Sequence, residues 1–310
     1  MIQCLTMTSL KTKNICFLAA FLFLAIVPTL AKVVDEVKDC KQFLYQGTPP
    51  EIPGVLVGGN IQDNNRYKII CQTYANEPRF LTVYDTKNKI PVFSAYEYKG
   101  SAGGRPSVPW KIEPQLEDSA ASKDMMMEER GKTYTKQAVN ADYDSIKTDY
   151  NRGHLFPVSH TGYKNEQIST FTLTNAVPQI ISFNDKSWAY MEKCIQYIMF
   201  YYINQRKMEC FVVVGAKPGN NNRPINSINI PSVMWSAFYC SDTERSIAGA
   251  HWGDNVKIQS KTLLVMETLE ELKEKQGNEA FPGTNPEAFD IDDIKDPKVK
   301  QNVRNNCRFQ

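Results

Sequence analysis

Strand-forming segments dominate the residues between 66 and 98. Segments 67–74, 80–84 and 91–98 are rich in β-branched and aromatic residues, and the last alternates apolar and polar positions. The turn formers at 85–89 predict a hairpin loop between the last two strands. Further strands are predicted at 210–215, 233–239 and 245–251. The pattern therefore predicts at least six strands.

Two long helices and several irregular segments complete the predicted organisation. A helix is expected from Asn184, a good N-cap residue, past Tyr201, and a second over 262–275. Segment 32–62 is a Pro- and Gly-rich lead-in, 100–124 a long loop and 290–300 a surface tail. No internal repeat or long linker interrupts the chain, so residues 32–310 are expected to form a single domain.

Composition places the chain among globular proteins. Of its 310 residues, 42% are hydrophobic and 23% charged, which excludes disordered, collagen-like and multi-span membrane classes. Lys plus Arg number 36 against 34 Asp plus Glu. This near balance argues against a basic protein that coats DNA.

The N-terminus has the pattern of a secretory signal peptide. Lys11 and Lys13 precede an uncharged run over 15–27, and Thr29-Leu30-Ala31 has the small-residue spacing of a cleavage site. The run is shorter than the roughly 20 residues of a membrane span. We expect cleavage after residue 31 and a secreted, extracellular protein without a membrane span; a buried helix or an uncleaved anchor is the alternative.

Six cysteines remain after the expected cleavage. In an oxidising compartment they predict three disulfides, with about 15 possible pairings that the sequence leaves open. Their spacing is unlike that of zinc ligands. The position of Cys307 predicts that the C-terminus is tied to the body of the protein. The six are Cys40, Cys71, Cys194, Cys210, Cys240 and Cys307.

One histidine segment carries candidate chemistry. His154 follows Arg152 and Gly153 and precedes Leu155-Phe156-Pro157. An imidazole with an ordinary pKa near 6.5 can accept a proton from water at neutral pH, and an adjacent guanidinium can hold a phosphate. A structural histidine beside a solvated arginine is the competing interpretation. His160 and His251 lack partner motifs and are interpreted as structural.

A second segment lies downstream. Asn184, Trp188 and Glu192 recur every four residues and form a stripe on a helix. An amide oxygen and a carboxylate on that stripe could reach one hard cation, directly or through water. Trp188 is interpreted as packing. Taken alone, Asn184 could be a simple N-cap and Glu192 a solvated side chain.

Together the motifs resemble the DNA/RNA non-specific endonuclease family, the ββα-metal nucleases. The resemblance covers roughly residues 60–275 and rests on motifs in a fixed order and spacing. They are Arg-Gly-His-Leu-x-Pro at 152–157, Thr-Asn-x-x-Pro-Gln at 174–179, Asn-x-x-x-Trp-x-x-x-Glu at 184–192, and the loop segment 105–110. The resemblance implies an α+β fold, with a central antiparallel sheet flanked by helices and the His154 segment facing the helix after Asn184.

The resemblance also implies residue roles. His154 is the expected general base, and Asn184 the direct ligand of Mg²⁺, with Mn²⁺ as an alternative. Glu192 would hold the ion's water molecules. Asn175 would order the site, and Arg105 and Arg152 would contact phosphate. The implied activity is Mg²⁺-dependent, sequence-indifferent hydrolysis of DNA and RNA that leaves 5′-phosphate ends.

The chain departs from the family at two positions. The usual motif is Asp-Arg-Gly-His, and Asn151 stands in its first position; Gln196 replaces an Arg often found four residues after the Glu. Asp149 shares a strand face with Asn151, so we hypothesise that it replaces the missing carboxylate. Asn151 also supports the competing view, a nuclease-fold binding protein with weak or no turnover. A phosphodiesterase for smaller nucleotides is a third possibility.

Overall fold

An eight-stranded sheet forms the centre of the protein. The computed structural model describes residues 33–220 and 228–309, which belong to one compact unit. The sheet order is β1-β4-β5-β6-β9-β10-β11-β12, and every neighbouring pair is antiparallel except β11 and β12. The described strands are β1 Val33–Val34, β2 Leu56–Val57, β3 Asn60–Ile61, β4 Tyr67–Tyr74, β5 Glu77–Asp85, β6 Ile90–Glu97, β7 Tyr150–His154, β8 Ala176–Ile180, β9 Glu209–Pro218, β10 Pro231–Ser241, β11 Ser246–Asp254 and β12 Glu287–Ala288.

Helices surround the sheet, which confirms the predicted α+β class. The α-helices are Asn140–Asp144, Lys164–Ser169, Ile181–Phe183, Ala189–Tyr201, Leu269–Gln276 and Pro297–Asn306, and two π-helical segments, Asn184–Trp188 and Tyr202–Arg206, make residues 181–206 one long helix. Short 3₁₀ segments lie at Val37–Phe43, Tyr45–Gly47, Pro114–Leu116, Val158–His160, Leu173–Asn175 and Ile291–Asp293. No helix in the described part of the chain is both long and apolar enough to cross a bilayer.

Both faces of the sheet are buried. Because side chains alternate along a strand, Val212 and Val214 pack in the cluster that contains the long helix, whereas Phe211 and Val213 face the opposite cluster. The second cluster includes Phe43 from the lead-in segment. The central strands are therefore covered on both sides, which explains the continuous apolar run of β9.

Three disulfides join these layers, as the cysteine count predicted. Cys40–Cys71 ties the lead-in to β4, and Cys210–Cys240 links the neighbouring strands β9 and β10. Cys194–Cys307 fastens the C-terminal helix Pro297–Asn306 to the long helix. Only the contacts between these distant segments select this pairing from the alternatives.

The predicted helix over 262–275 is wrong in its first half. The helix begins at Leu269, because Thr268 caps it: its hydroxyl accepts a hydrogen bond from the Glu271 N–H at 3.1 Å. Before it, Glu267 pairs with Ala250 of β11, so this stretch is extended. Sheet pairing overrides the helical propensity of these residues.

The interpretation of 290–300 as a surface tail is also wrong. Ile294 is fully buried, and the helix Pro297–Asn306 follows, with Val303 fully buried against the long helix. Asp296 caps this helix by accepting hydrogen bonds from two backbone N–H groups. The charged residues of the segment lie on the exposed face of a packed helix.

Candidate active site

Two paired strands and the helix that follows them build the site. The strands β7 and β8 pair antiparallel, with His154 opposite Ala176 and Asn151 opposite Gln179. The chain leaves β8 at Ile180 and enters the long helix at once. The predicted start at Asn184 is therefore wrong by three residues: Asn184 has helical dihedral angles, φ −57° and ψ −50°, and does not cap the helix.

The long loop before residue 112 is held against the same site. The backbone N–H of Lys111 donates to the Phe171 carbonyl at 2.9 Å, and the N–H of Leu173 donates to the Lys111 carbonyl at 2.8 Å. At the N-terminal end of the loop, the Ala102 N–H donates to the Thr161 carbonyl at 2.7 Å. These bonds fix both ends of the segment that carries Arg105 and Trp110.

His154 lies at the end of β7 and is 7% exposed. Its ring packs against Trp110 and Phe171, with centroid distances of 4.8 Å and 5.0 Å. Its Nε2 is buried and has no hydrogen-bond partner among the described residues. Burial, together with the positive charge of Arg105, lowers the pKa of His154 to about 3. The imidazole is therefore neutral at physiological pH, with a free nitrogen to accept a proton.

Gly153 is required by the close approach of the neighbouring strand. A Cβ at this position would lie 2.2 Å from Gln179 Oε1 and 2.7 Å from Gln179 Cβ. Gln179 itself is fully buried. Any larger residue would force the two strands apart and move His154, which explains on steric grounds why glycine precedes the histidine.

Asn184 and Glu192 line the same cavity as His154. The cavity has a volume of about 600 Å³ and is bounded by strand β7, the 105–110 loop and the long helix. Asn184 lies in a π-helical segment, a helix variant that is frequent at functional sites. Burial raises the pKa of Glu192 to about 8, against the lowering effect of Arg105. The three residues expected to act together are therefore brought together.

The oxygen donors in this cavity suit a hard divalent cation. Asn184 offers an amide oxygen and Glu192 a carboxylate, and the carboxylate of Asp185 adds negative charge to the lining of the same cavity. Mg²⁺ prefers such oxygen ligands and keeps several water molecules. A partly buried carboxylate with a raised pKa also gains from a nearby cation, which favours its ionised form. The donor set therefore fits the predicted metal.

The two arginines in the cavity have different environments. Arg105 is exposed, lies 4.9 Å over the Phe171 ring and forms no ion pair with a described carboxylate. Arg152, in contrast, pairs with Asp144 at 3.0 Å and donates to the Asn140 side chain at 3.2 Å. Arg105 is thus available to an anionic ligand, whereas Arg152 is already partly neutralised.

Asn175 lies outside the cavity lining and is fully buried. Its Nδ2 donates to the carbonyls of Phe156 and Thr170, both at 3.1 Å. Its Oδ1 accepts from the Phe156 N–H and the Ser94 hydroxyl, both at 2.9 Å. Asn175 therefore holds the backbone just after His154 and does not itself line the cavity.

Two residues near the site escaped the sequence analysis. Trp110 covers the His154 ring, and its motif was noted without a role. Asp185 contacts Asn151 and Asn184, and its only sequence signal was its position beside Asn184. Asp149, proposed as the replacement carboxylate, lies outside the cavity lining and pairs with Lys257 at 3.3 Å. The geometry thus does not favour the Asp149 hypothesis.

The other two histidines are buried, in keeping with a structural role. His160 contacts the Tyr96 hydroxyl through Nδ1 and the Glu192 carbonyl through Nε2, both at 2.8 Å. His251 Nε2 lies 3.2 Å from Cys307 Sγ. Burial lowers the pKa of His160 to about 4 and that of His251 to about 3.

Two antiparallel strands and a helix, with His154 on the first strand and Asn184 and Glu192 on the helix, define the ββα-metal class of site. Residues 59–287 match the DNA/RNA non-specific endonuclease family. The chain belongs to this family, as its motifs predicted. Nucleases of the family act on nucleic acids and use a divalent metal ion.

Several individual proteins are similar to this chain. The chain is 28% identical over 220 residues to the endonuclease domain-containing 1 protein of Homo sapiens, and 29% identical over 209 residues to that of Mus musculus. The matches cover 69% and 66% of this chain, but only 40% and 39% of those proteins. The chain therefore spans about two fifths of the length of these curated relatives. A chain in the crystal structure of the EndoG/EndoGI complex aligns with a TM-score of 0.49 and 16% identity, over 69% of this chain and 86% of its own.

Proposed function

We propose that residues 32–310 form a secreted endonuclease domain that hydrolyses DNA and RNA without sequence preference, with Mg²⁺ as cofactor and His154 as general base. One observation carries the proposal: His154, whose buried Nε2 has no hydrogen-bond partner among the described residues, lines the same cavity as Asn184 and Glu192, which offer oxygen donors. A proton acceptor and a cation site in one cavity are what phosphodiester hydrolysis requires.

His154 would take the proton of the attacking water. Its pKa of about 3 keeps the ring neutral but makes it a weak base in the free protein. An anionic phosphate beside it favours the protonated ring and raises that pKa towards the operating pH. The arrival of substrate therefore activates the base.

Asn184 would bind the divalent ion directly, and Glu192 would hold its water molecules. The ion, when bound, would neutralise charge on the phosphate and ease departure of the 3′ oxygen. Arg105, which has no ion-pair partner among the described residues, would bind a phosphate oxygen from the loop side. Arg152 would keep the β7 turn in place through its contact with Asp144.

A basic and aromatic surface beside the cavity supports a polymeric substrate. Lys186, Tyr190 and Lys193 lie on the long helix that carries Asn184 and Glu192. Lys261 Nζ lies 4.2 Å from the Tyr190 ring centroid, and Lys193 Nζ lies 5.8 Å from it. None of the three lysines forms an ion pair with a described carboxylate. These lysines would be available to the phosphates of a nucleic acid that extends past the cavity.

Plasmid and RNA digestion tests the activity. The purified mature protein should cleave both substrates with Mg²⁺ and stop with chelator. His154→Ala should lose about 10²- to 10⁴-fold in rate, the usual contribution of a general base. Asp149→Asn, outside the cavity, is the matched control and should cleave like wild type. Metal-dependent binding of nucleic acid without cleavage would instead establish the binding-protein alternative, and cleavage that survives His154→Ala would disprove the assignment of the base.

The lysine surface has its own test. Replacing Lys186, Lys193 and Lys261 with Gln should weaken DNA binding. The slope of log K for DNA binding against log salt concentration should become shallower by about one unit for each replaced lysine that pairs with a phosphate in the wild type. An unchanged salt slope would place the substrate elsewhere.

Secretion is proposed from the predicted signal at 1–31, which lies outside the described residues, and from the three disulfides. Mass spectrometry of protein recovered from the medium of expressing cells should show an N-terminus near residue 32. An intact N-terminus would contradict cleavage.

A further inference from the structure

An acidic residue joins the two amides at the mouth of the cavity. Asp185 Oδ1 accepts a hydrogen bond from Asn184 Nδ2 at 2.9 Å and another from Asn151 Nδ2 at 3.1 Å. All three side chains line the cavity that also contains Glu192. Asp185 forms no ion pair with any described Lys or Arg. Its negative charge is therefore not neutralised within the described structure.

These hydrogen bonds determine how the amides are oriented. An amide group can donate to a carboxylate only through its NH₂, so its oxygen must lie on the opposite side of the group. Asp185 thus fixes the orientation of the Asn184 amide. The Oδ1 atom of Asn184, which can bind a cation, points away from Asp185. The same holds for Asn151 in β7. Without Asp185, either amide could rotate and present its nitrogen instead.

We propose that Asp185 is a positioning residue of the divalent-metal site, which orients the ligand oxygen of Asn184 and supplies the negative charge that Asn151 lacks. The proposal rests on the metal site of the proposed function. Asp149 does not fill this role, because it pairs with Lys257 and lies outside the cavity lining. Asp185, in contrast, bridges the strand and the helix that form the site.

Direct metal titration tests the proposal without reference to catalysis. Mn²⁺ and Mg²⁺ affinities are measured by calorimetry on the purified chain without nucleic acid. Asp185→Asn should weaken binding on the order of tenfold, the effect expected for one unit charge near a divalent ion in a solvent-exposed setting. Asp149→Asn removes the same charge from the same region and should bind like wild type. The thermal midpoints of both variants without metal should equal that of wild type, since both side chains are exposed.

A rescue variant separates charge from simple damage. The double variant Asn151→Asp with Asp185→Asn exchanges the carboxylate and the amide of this hydrogen-bonded pair. It should restore most of the metal affinity. An unchanged metal affinity in Asp185→Asn, an equal loss in Asp149→Asn, or a wild type that binds neither ion would overturn the proposal. Cleavage is measured separately: a wild type whose metal affinity depends on Asp185 but that does not cut nucleic acid leaves this inference intact and refutes the proposed function.

Discussion

The interior position of Asn175 separates its role from that of Asn184, although both are asparagines in the family motifs. Asn175→Ala removes four buried hydrogen bonds, two to the backbone of Phe156 and one each to Thr170 and Ser94. At about 1 kcal/mol net for each bond, the free energy of unfolding should fall by about 4 kcal/mol. This loss lies at the upper end of the range for single substitutions, because the former partners of Asn175 would stay buried without hydrogen bonds.

Asn184→Ala is the matched control for this perturbation. Its amide bonds only the exposed Asp185 among the described residues, so the same chemical change should alter stability by less than about 1 kcal/mol while it weakens metal binding. Urea unfolding at neutral pH with chelator measures both variants. Should Asn175→Ala fail to fold, Ser94→Ala removes one of the four bonds together with the bond between the Ser94 and Thr82 hydroxyls, and should cost about 2 kcal/mol. Equal stability losses in the two asparagine variants would refute the reasoning.

Packing and electrostatics elsewhere in the chain give three more expected outcomes. Gly153→Ala should cost about 1–3 kcal/mol, because its Cβ would collide with Gln179, and Gln179→Gly should recover the loss in a double-mutant cycle of urea unfolding. Burial raises the pKa of Glu113 to about 8, so the folded protein loses stability as pH rises from about 4.5 to about 8. Glu113→Gln should therefore stabilise the protein by roughly 3 kcal/mol at pH 7 and by little at pH 4. An effect on stability that does not change with pH would contradict this assignment. Loss of Cys194–Cys307, whose cysteines are 113 residues apart, should lower stability by about 4.8 kcal/mol, and loss of Cys40–Cys71, at a separation of 31, by about 3.7 kcal/mol. The reverse order in thermal unfolding would disprove the loop-entropy argument.

Local patterns predicted the elements whose residues agree with one period. The strands β4, β6 and β10 lie within a residue or two of their predicted bounds. Prediction failed where contacts with residues distant in the sequence determined the backbone conformation. Glu267 pairs with Ala250 and keeps its segment extended, and β8 leads into the long helix three residues before the expected N-cap.

The motif spacing alone determined the family of this protein, and it predicted His154, Asn184 and Glu192 as site residues, because functional groups on a strand and the following helix occur at a fixed spacing in the sequence. Only the tertiary structure decided which of the remaining motif residues face the cavity. It buries Asn175 behind Phe156, engages Arg152 with Asp144, and places Asp185 rather than Asp149 beside Asn151. The physical reason is that hydrogen bonds and ion pairs depend on distances between segments far apart in the chain, and no local periodicity records those distances.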